Sequence, residues 1–230
     1  MLEEDANFTV RYIKDVTISF YEKLPTYGYG LIILRIHSAV RKDTDLVDFF
    51  TNEPYKKGKY NKPGISMATI FDNKTFFAIG PDFVEKTMNG VFENSVIIAT
   101  GCNGTTYLTM GRALKDKGAS VYIGWNGYVD PNYADAATEQ LLKHLLLENQ
   151  TVADSVSAID SDPRWNSELE YYPHEIGDLK IRKKKQGITG LNSALISVLK
   201  MLGETLKTSE VCMGRRFNFE DCFLSPRIVY

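Results

Sequence analysis

Cysteine and histidine are both scarce in this sequence, with three of each among 230 residues. So few cysteines exclude a disulfide-rich scaffold and a zinc module built from cysteine and histidine. Chemistry that needs a thiol or an imidazole must therefore use one of six residues, which are Cys102, Cys212, Cys222, His37, His144 and His174. Neither His144 nor His174 has metal-ligand spacing to a cysteine. We expect no metal and no cofactor.

The sequence also lacks a strong excess of charge of one sign and any long apolar run. Its formal net charge is −2, and 43% of its residues are hydrophobic. This composition is that of an ordinary globular protein, and no nucleic-acid partner is expected from it. No apolar run is long enough to span a bilayer. The acidic start, residues 1–5, does not resemble a secretory signal, which favours a cytoplasmic location and leaves an extracellular one open. Oligomeric state stays open.

Short apolar runs alternate with amphipathic segments over the first two-thirds of the chain. The runs at residues 31–36, 95–100 and 119–124 are apolar on both faces, which is typical of buried parallel strands. Helices are predicted over residues 17–24, 82–89, 106–117, 134–148 and 152–159. This alternation predicts an α/β fold, a three-layer α/β/α sandwich around a mostly parallel central sheet.

Two other regions carry weaker patterns. Residues 41–64 are polar and contain proline and glycine, which predicts a long irregular connection. A β-hairpin is expected over residues 67–79, around Asp72-Asn73-Lys74. We place an α/β core at residues 1–160, which could lack part of its start. Residues 161–230 form an unassigned C-terminal extension with one expected helix, at residues 190–207.

Cys102 and His37 follow two of the predicted strands, where sites form in open α/β sheets. Cys102 lies in the turn Gly101-Cys102-Asn103-Gly104, which we expect to open a helix and so to favour the thiolate. Parallel strands bring their end residues close together. The two residues are therefore candidates for a catalytic dyad, in which the backbone N–H groups of Ser38 and Cys102 hold the oxyanion.

Each of the two residues also has an ordinary interpretation. A single cysteine at the end of a strand is more often a small buried apolar residue. A single histidine there can simply bond a carbonyl group. The order of the segments favours the dyad over these two ordinary interpretations. A strand ending in His-Ser is followed by a long insertion and then by a strand ending in Gly-Cys.

The same strands carry a resemblance to the caspase-like cysteine peptidases, which include caspases, gingipains, clostripain-like enzymes, legumain and separase. Residues 32–38 resemble the catalytic-histidine strand, residues 96–102 the catalytic-cysteine strand and residues 118–125 the strand that follows. The resemblance covers residues 8–159 and is greatest to the divergent gingipain-like, clostripain-like or archaeal branch. It implies a caspase-like fold and an endopeptidase that acts on peptides or proteins through an acyl-enzyme at Cys102.

The sequence departs from this family at two positions near the dyad. Ser38 stands where many members have glycine. Thr100 stands where clostripain-like enzymes have an aspartate that binds a basic substrate side chain. Position 100 therefore does not support specificity for arginine or lysine.

The resemblance also implies a substrate pocket after the third strand, lined by Trp125, Asn126, Tyr128 and Asp130. Either Asp130 or Asp135 could then bind a basic substrate side chain. The alternative is that Trp125 covers the core and Asp135 caps the helix at Ala136.

Two other functions remain open from the sequence. The chain could be a non-catalytic caspase-like module that binds partners within a larger protein. It could also be an α/β domain that binds a small molecule or nucleotide at residues 101–105. Cys212 and Cys222 are either paired with each other or free thiols.

Overall fold

The computed structural model describes residues 10–70, 73–181 and 227–229. Its strands are β1 (Tyr12–Ile13), β2 (Leu31–Arg35), β3 (Ser38–Val40), β4 (Val47–Pro54), β5 (Ile65–Thr69), β6 (Thr75–Ile79), β7 (Val96–Ala99), β8 (Val121–Trp125), β9 (Leu169–Tyr172) and β10 (Arg227–Val229). Its helices are α1 (Ile18–Lys23), α2 (Pro81–Lys86), α3 (Thr109–Asp116), α4 (Pro131–Leu142) and α5 (Val152–Ser157). A π-helical turn, Lys143–Leu147, extends α4, and 3-10 turns occupy Leu24–Tyr27 and His174–Ile176.

One six-stranded sheet contains the three strands predicted from apolar runs. Its order is β1-β10-β2-β7-β8-β9, and β2, β7 and β8 are parallel. Strand β9 pairs with β8 in the antiparallel sense, and β10 lies antiparallel between β1 and β2. The four strands β2, β7, β8 and β9 thus form a mostly parallel sheet. The predicted mixed α/β character is confirmed.

The parallel strands are apolar apart from Arg35 at the end of β2, because each of their faces contacts a separate hydrophobic core. In β2, Ile32 and Leu34 pack into one core and Ile33 into the other. The first core is completed by α1, α2, α3 and the second sheet, and the other core by α4 and α5. This arrangement leaves the strand ends, rather than the strand faces, for a site.

The second sheet is antiparallel, in the order β3-β4-β6-β5, and corrects the expectation of an irregular connection over residues 41–64. Polar residues in β4 hide its pattern, because they are buried and form hydrogen bonds with groups from other segments. Asp48 accepts hydrogen bonds from Arg41 at 2.7 Å and from Ser66 at 2.9 Å. Glu53 accepts one from the backbone N–H of Ile18 at 3.0 Å. The predicted hairpin is confirmed as β5 and β6.

Two helices begin at residues other than those expected, because hydrogen bonds of the preceding loops set their first residues. Thr17 caps α1 as predicted, accepting a hydrogen bond from the N–H of Phe20. Helix α3 begins at Thr109 instead of residue 106, because the N–H groups of Asn103 and Thr105 donate to carbonyls at the end of β8. Helix α4 begins at Pro131 instead of residue 134, since the side chain of Asp130 caps it there.

The region after residue 160 contributes β9 to the same sheet as the parallel strands. The domain boundary at residue 160 stays a prediction. The helix expected over residues 190–207, and Cys212 and Cys222, lie outside the described residues. Within the described part of the chain, no helix is both long and apolar enough to cross a membrane.

Candidate active site

A cavity of about 690 Å³ lies at the carboxyl ends of β2 and β7. Its walls come from the two strand ends, the β5–β6 turn, the loop between β8 and α4, and a loop before β9. The corresponding lining residues are 35–39, 100–102, 69–70 with 73, 128–131 and 164–165, together with Phe50, Ala134 and Asp135. The cavity is therefore at the edge of the sheet where the sequence predicts a site.

His37 and Cys102 both line this cavity. The register of the parallel pair explains why they meet there, because Leu34 is opposite Ala99 and each candidate residue follows three positions later. Both side chains are half-buried. Their roles as base and nucleophile stay a prediction.

The thiol of Cys102 is in a setting that favours its protonated form. It donates a hydrogen bond to the carbonyl of Val129, with the sulfur 3.8 Å from the oxygen. Burial raises the pKa of the thiol, and the nearby carboxylate of Asp162 raises it further. The expectation that Cys102 opens a helix is wrong, because α3 begins only at Thr109. No helix dipole at Cys102 itself therefore stabilises the thiolate.

His37 is held in its neutral form at neutral pH. Burial lowers its pKa to about 4, and the positive charge of Arg35 contributes to the decrease. The imidazole ring is 6.2 Å from the ring of Phe50, measured between centroids. A neutral imidazole can accept a proton from a thiol. A Cys102–His37 pair would thus begin as two neutral groups.

Ser38 joins the histidine strand to the cysteine turn. Its hydroxyl donates a hydrogen bond to the carbonyl of Cys102 at 2.6 Å. The N–H of Phe50 donates to the carbonyl of His37, and Ser38 is opposite Phe49 in the ladder. In this register the N–H of Ser38 points away from β4. Its predicted role in holding an oxyanion, like that of the Cys102 N–H, stays a prediction.

Two of the predicted pocket residues lie elsewhere. Trp125 is 1% exposed and packs in the core against the ring of Tyr133, with centroids 5.8 Å apart. The side chain of Asn126 donates to Glu170 and accepts from the N–H of Glu168, so it fastens β8 to β9. Neither residue is among those that line the cavity, and their role in a substrate pocket stays a prediction. Trp125 is buried because the last residues of β8 lie beneath α4.

Asp130 and Asp135 have distinct roles. Asp130 lines the cavity and caps α4, accepting a hydrogen bond from the N–H of Asn132 at 2.9 Å. Asp135 is 2% exposed and forms a two-point ion pair with Arg35, each bond being 2.8 Å. The helix cap is therefore Asp130, and the basic partner of Asp135 belongs to the protein itself.

Asp162 organises the loops around the cavity and is not predicted as a site residue from the sequence. It is fully buried and accepts hydrogen bonds from the N–H groups of Asp130, Arg164 and Trp165 at 2.7–2.9 Å. These bonds join the loop at the start of α4 to the loop that carries Trp165. The sequence Asp162-Pro163 is a signal for such a turn.

In the described residues, no group of three or more histidine, cysteine, aspartate or glutamate side chains is placed to hold a metal ion. No protein-family model matches the chain, and no curated protein or solved structure matches it either. The fold and the site together define a mixed α/β protein with a thiol and an imidazole in one cavity at the carboxyl edge of its sheet.

Proposed function

We propose that the protein is a cysteine endopeptidase with a caspase-like α/β/α arrangement, in which Cys102 is the nucleophile and His37 the base. The observation that carries the proposal is that both side chains line one cavity, each three residues beyond a register pair of neighbouring parallel strands. The resemblance of residues 32–38 and 96–102 to the catalytic strands of caspase-like peptidases supports the same assignment.

In the proposed reaction, His37 takes the proton of the Cys102 thiol as the sulfur attacks the carbonyl carbon of the scissile bond. The N–H groups of Ser38 and Cys102 bind the oxygen that becomes negative. The carbon–nitrogen bond then breaks, and the leaving amine takes the proton from His37. Water hydrolyses the thioester, with His37 accepting a proton from the water and returning it to the sulfur.

The raised pKa of Cys102 and the lowered pKa of His37 determine which form of this mechanism is proposed. A preformed pair of thiolate and imidazolium needs the opposite shifts. Proton transfer is therefore coupled to attack on the substrate, with His37 acting as a general base.

Covalent labelling tests the proposal. Iodoacetamide or an acyloxymethyl ketone peptide is reacted with the full chain, and modification of each cysteine is followed by peptide mass spectrometry. We expect the acyloxymethyl ketone to modify Cys102 faster than Cys212 or Cys222, and the His37→Gln variant to be at least about tenfold slower at Cys102. His174→Gln, which changes an exposed histidine outside the cavity, is the matched control.

Equal modification of all three cysteines, unchanged by His37→Gln, would contradict the peptidase. That result would favour a non-catalytic module that binds peptides or partners, the second candidate. One specific observation favours this candidate. The resting thiol and imidazole are both neutral, and the thiol donates a hydrogen bond to the carbonyl of Val129.

A nucleotide site at residues 101–105 has less support. The N–H groups of Asn103 and Thr105 donate to the carbonyls of Gly127 and Trp125 at 2.7 and 3.0 Å. A phosphate-binding turn needs such groups to point at the ligand.

A further inference from the structure

We propose that the cavity beside Cys102 receives an apolar or aromatic side chain of the peptide substrate and rejects a charged one. This inference rests on the proposed function, because it names the class of residue that the peptidase would hold next to the thiol. Three observations support it: the pairing of the charges in the cavity, the chemistry of its walls, and the aromatic side chains at its mouth.

Among the described residues, the charged side chains that line the cavity are paired within the protein. Arg35 and Asp135 neutralise each other through two hydrogen bonds, and their side chains are 15% and 2% exposed. Asp130 uses one carboxylate oxygen to cap α4, and the other lies 3.8 Å from a guanidinium nitrogen of Arg164. A charged substrate side chain would therefore find no vacant partner among the described lining residues, and an unpaired charge in a desolvated site is unfavourable.

The walls of the cavity are mostly hydrocarbon. The apolar lining residues come from the end of β2, the second sheet with its β5–β6 turn, and the start of α4, and are Ile36, Ala39, Phe50, Ile70, Val129 and Ala134. A volume of about 690 Å³ is in the range of sites that enclose small ligands, so it accommodates a large side chain together with neighbouring main chain.

Two aromatic residues are exposed at the mouth of this cavity. Tyr128 is 61% exposed and Trp165 is 42% exposed, and their ring centroids are 5.5 Å apart. The guanidinium of Arg164 lies 5.1 Å from the Trp165 ring centroid. Aromatic side chains that remain in solvent beside an apolar cavity are typical of binding anchors. They present ring surface to an incoming apolar side chain.

The test measures binding rather than turnover. The full-length Cys102→Ser variant is titrated into fluorescein-labelled five-residue peptides that have alanine at all but the central position, and fluorescence anisotropy gives each Kd. The central residue is phenylalanine, leucine, lysine or aspartate. We expect the phenylalanine and leucine peptides to bind at least about tenfold tighter than the other two.

Variants at the cavity mouth locate the binding. Trp165→Ala and Tyr128→Ala should each weaken binding of the phenylalanine peptide by about fivefold to tenfold. Tyr107→Ala, which removes a comparably exposed aromatic outside the cavity lining, should leave it unchanged.

Lysine or aspartate peptides that bind as tightly as the phenylalanine peptide would overturn the inference, and so would the absence of measurable binding by any peptide. Failure of the proposed function would show in the labelling experiment instead, where Cys102 would be modified at the same rate in the native sequence and in His37→Gln. The preference for apolar peptides can therefore hold while the peptidase fails, and the reverse can also occur.

Discussion

His37 stays uncharged because β2 carries it to the end of a buried strand, two residues after Arg35. Burial removes water from the imidazole, and the guanidinium of Arg35 opposes a second positive charge nearby. The guanidinium of Arg35 is itself held by the carboxylate of Asp135 through two hydrogen bonds. Pairing that stabilises α4 against the sheet therefore also affects the proton affinity of the proposed base.

The buried imidazole should make the free energy of unfolding depend on pH. The unfolded chain protonates His37 near its ordinary pKa of 6.5, whereas the folded protein does so only near 4. Between these values the unfolded state binds more protons, so the free energy of unfolding falls as pH falls. The contribution of His37 to this loss is up to about 3 kcal/mol.

Urea denaturation at pH 7 and pH 4 measures this loss in the native sequence and in His37→Gln. The variant should lose less stability between the two pH values. His174→Gln, which changes an exposed histidine, should behave as the native sequence does. An identical pH dependence in His37→Gln and the native sequence would contradict the buried neutral imidazole.

At the scale of elements, the carboxylate of Asp162 joins the loop before β9 to the start of α4. Asp162 bonds the N–H groups of Arg164 and Trp165 in its own loop and that of Asp130 at the start of α4. It thus aligns the two loops that form one wall of the cavity. The same carboxylate lies close enough to Cys102 to affect the pKa of the thiol.

The Asp162→Asn variant tests both the alignment of the two loops and the effect on the pKa of Cys102, each by its own measurement. The amide has one oxygen, so a backbone N–H now faces a nitrogen, and an unpaired buried donor lowers the free energy of unfolding by about 1–3 kcal/mol. Removal of the negative charge should lower the pKa of Cys102. The rate at which iodoacetamide alkylates Cys102 increases with pH, and the midpoint of that increase should lie at a lower pH than in the native sequence.

Asp160→Asn is the matched control, because Asp160 is an exposed carboxylate two residues away. It should leave both the free energy of unfolding and the alkylation profile unchanged. An alkylation profile in Asp162→Asn that coincides with the native one would show that Asp162 does not act on the thiol.

At the scale of the whole molecule, the two sheets meet where β2 continues into β3, and the site lies at that junction. Gly101 makes the close approach possible. A Cβ atom at this position would meet the carbonyl of Ile36 and both the N–H and the hydroxyl of Ser38. The hydroxyl of Ser38 then bonds the carbonyl of Cys102, which fastens the second sheet to the cysteine turn.

Gly101→Ala should therefore move the two sheets apart at the site. We expect the free energy of unfolding to decrease by about 1–3 kcal/mol, as for other overpacked positions, and Cys102 labelling by the acyloxymethyl ketone peptide to slow. Urea denaturation and peptide mass spectrometry measure the two effects. Gly30→Ala is the control, since a Cβ there meets no atom within 4 Å. Unchanged labelling in Gly101→Ala would contradict this role of the junction.

The sequence alone determined the parallel strands β2, β7 and β8, the Thr17 cap and the hairpin of β5 and β6. These features follow from local patterns, since a strand buried on both faces is apolar throughout and a cap bonds its own helix. Because parallel strands share an edge, the sequence also placed His37 and Cys102 in the same region.

Only the tertiary structure decided the features whose partners are distant along the chain. The sequence does not predict β4, because buried polar residues interrupt its apolar pattern. Those residues are stable in the interior only because distant residues such as Ser66 and Ile18 form hydrogen bonds with them. The sequence allows Asp135 to be a helix cap or a substrate ligand, whereas in the structure Arg35, 100 residues away, binds it. The sequence likewise predicts a helix beside Cys102 that favours the thiolate, whereas in the structure burial and the carboxylate of Asp162 favour the protonated thiol. Local patterns carry backbone preference, whereas the pairing of buried charges and polar groups depends on which segments the fold brings together.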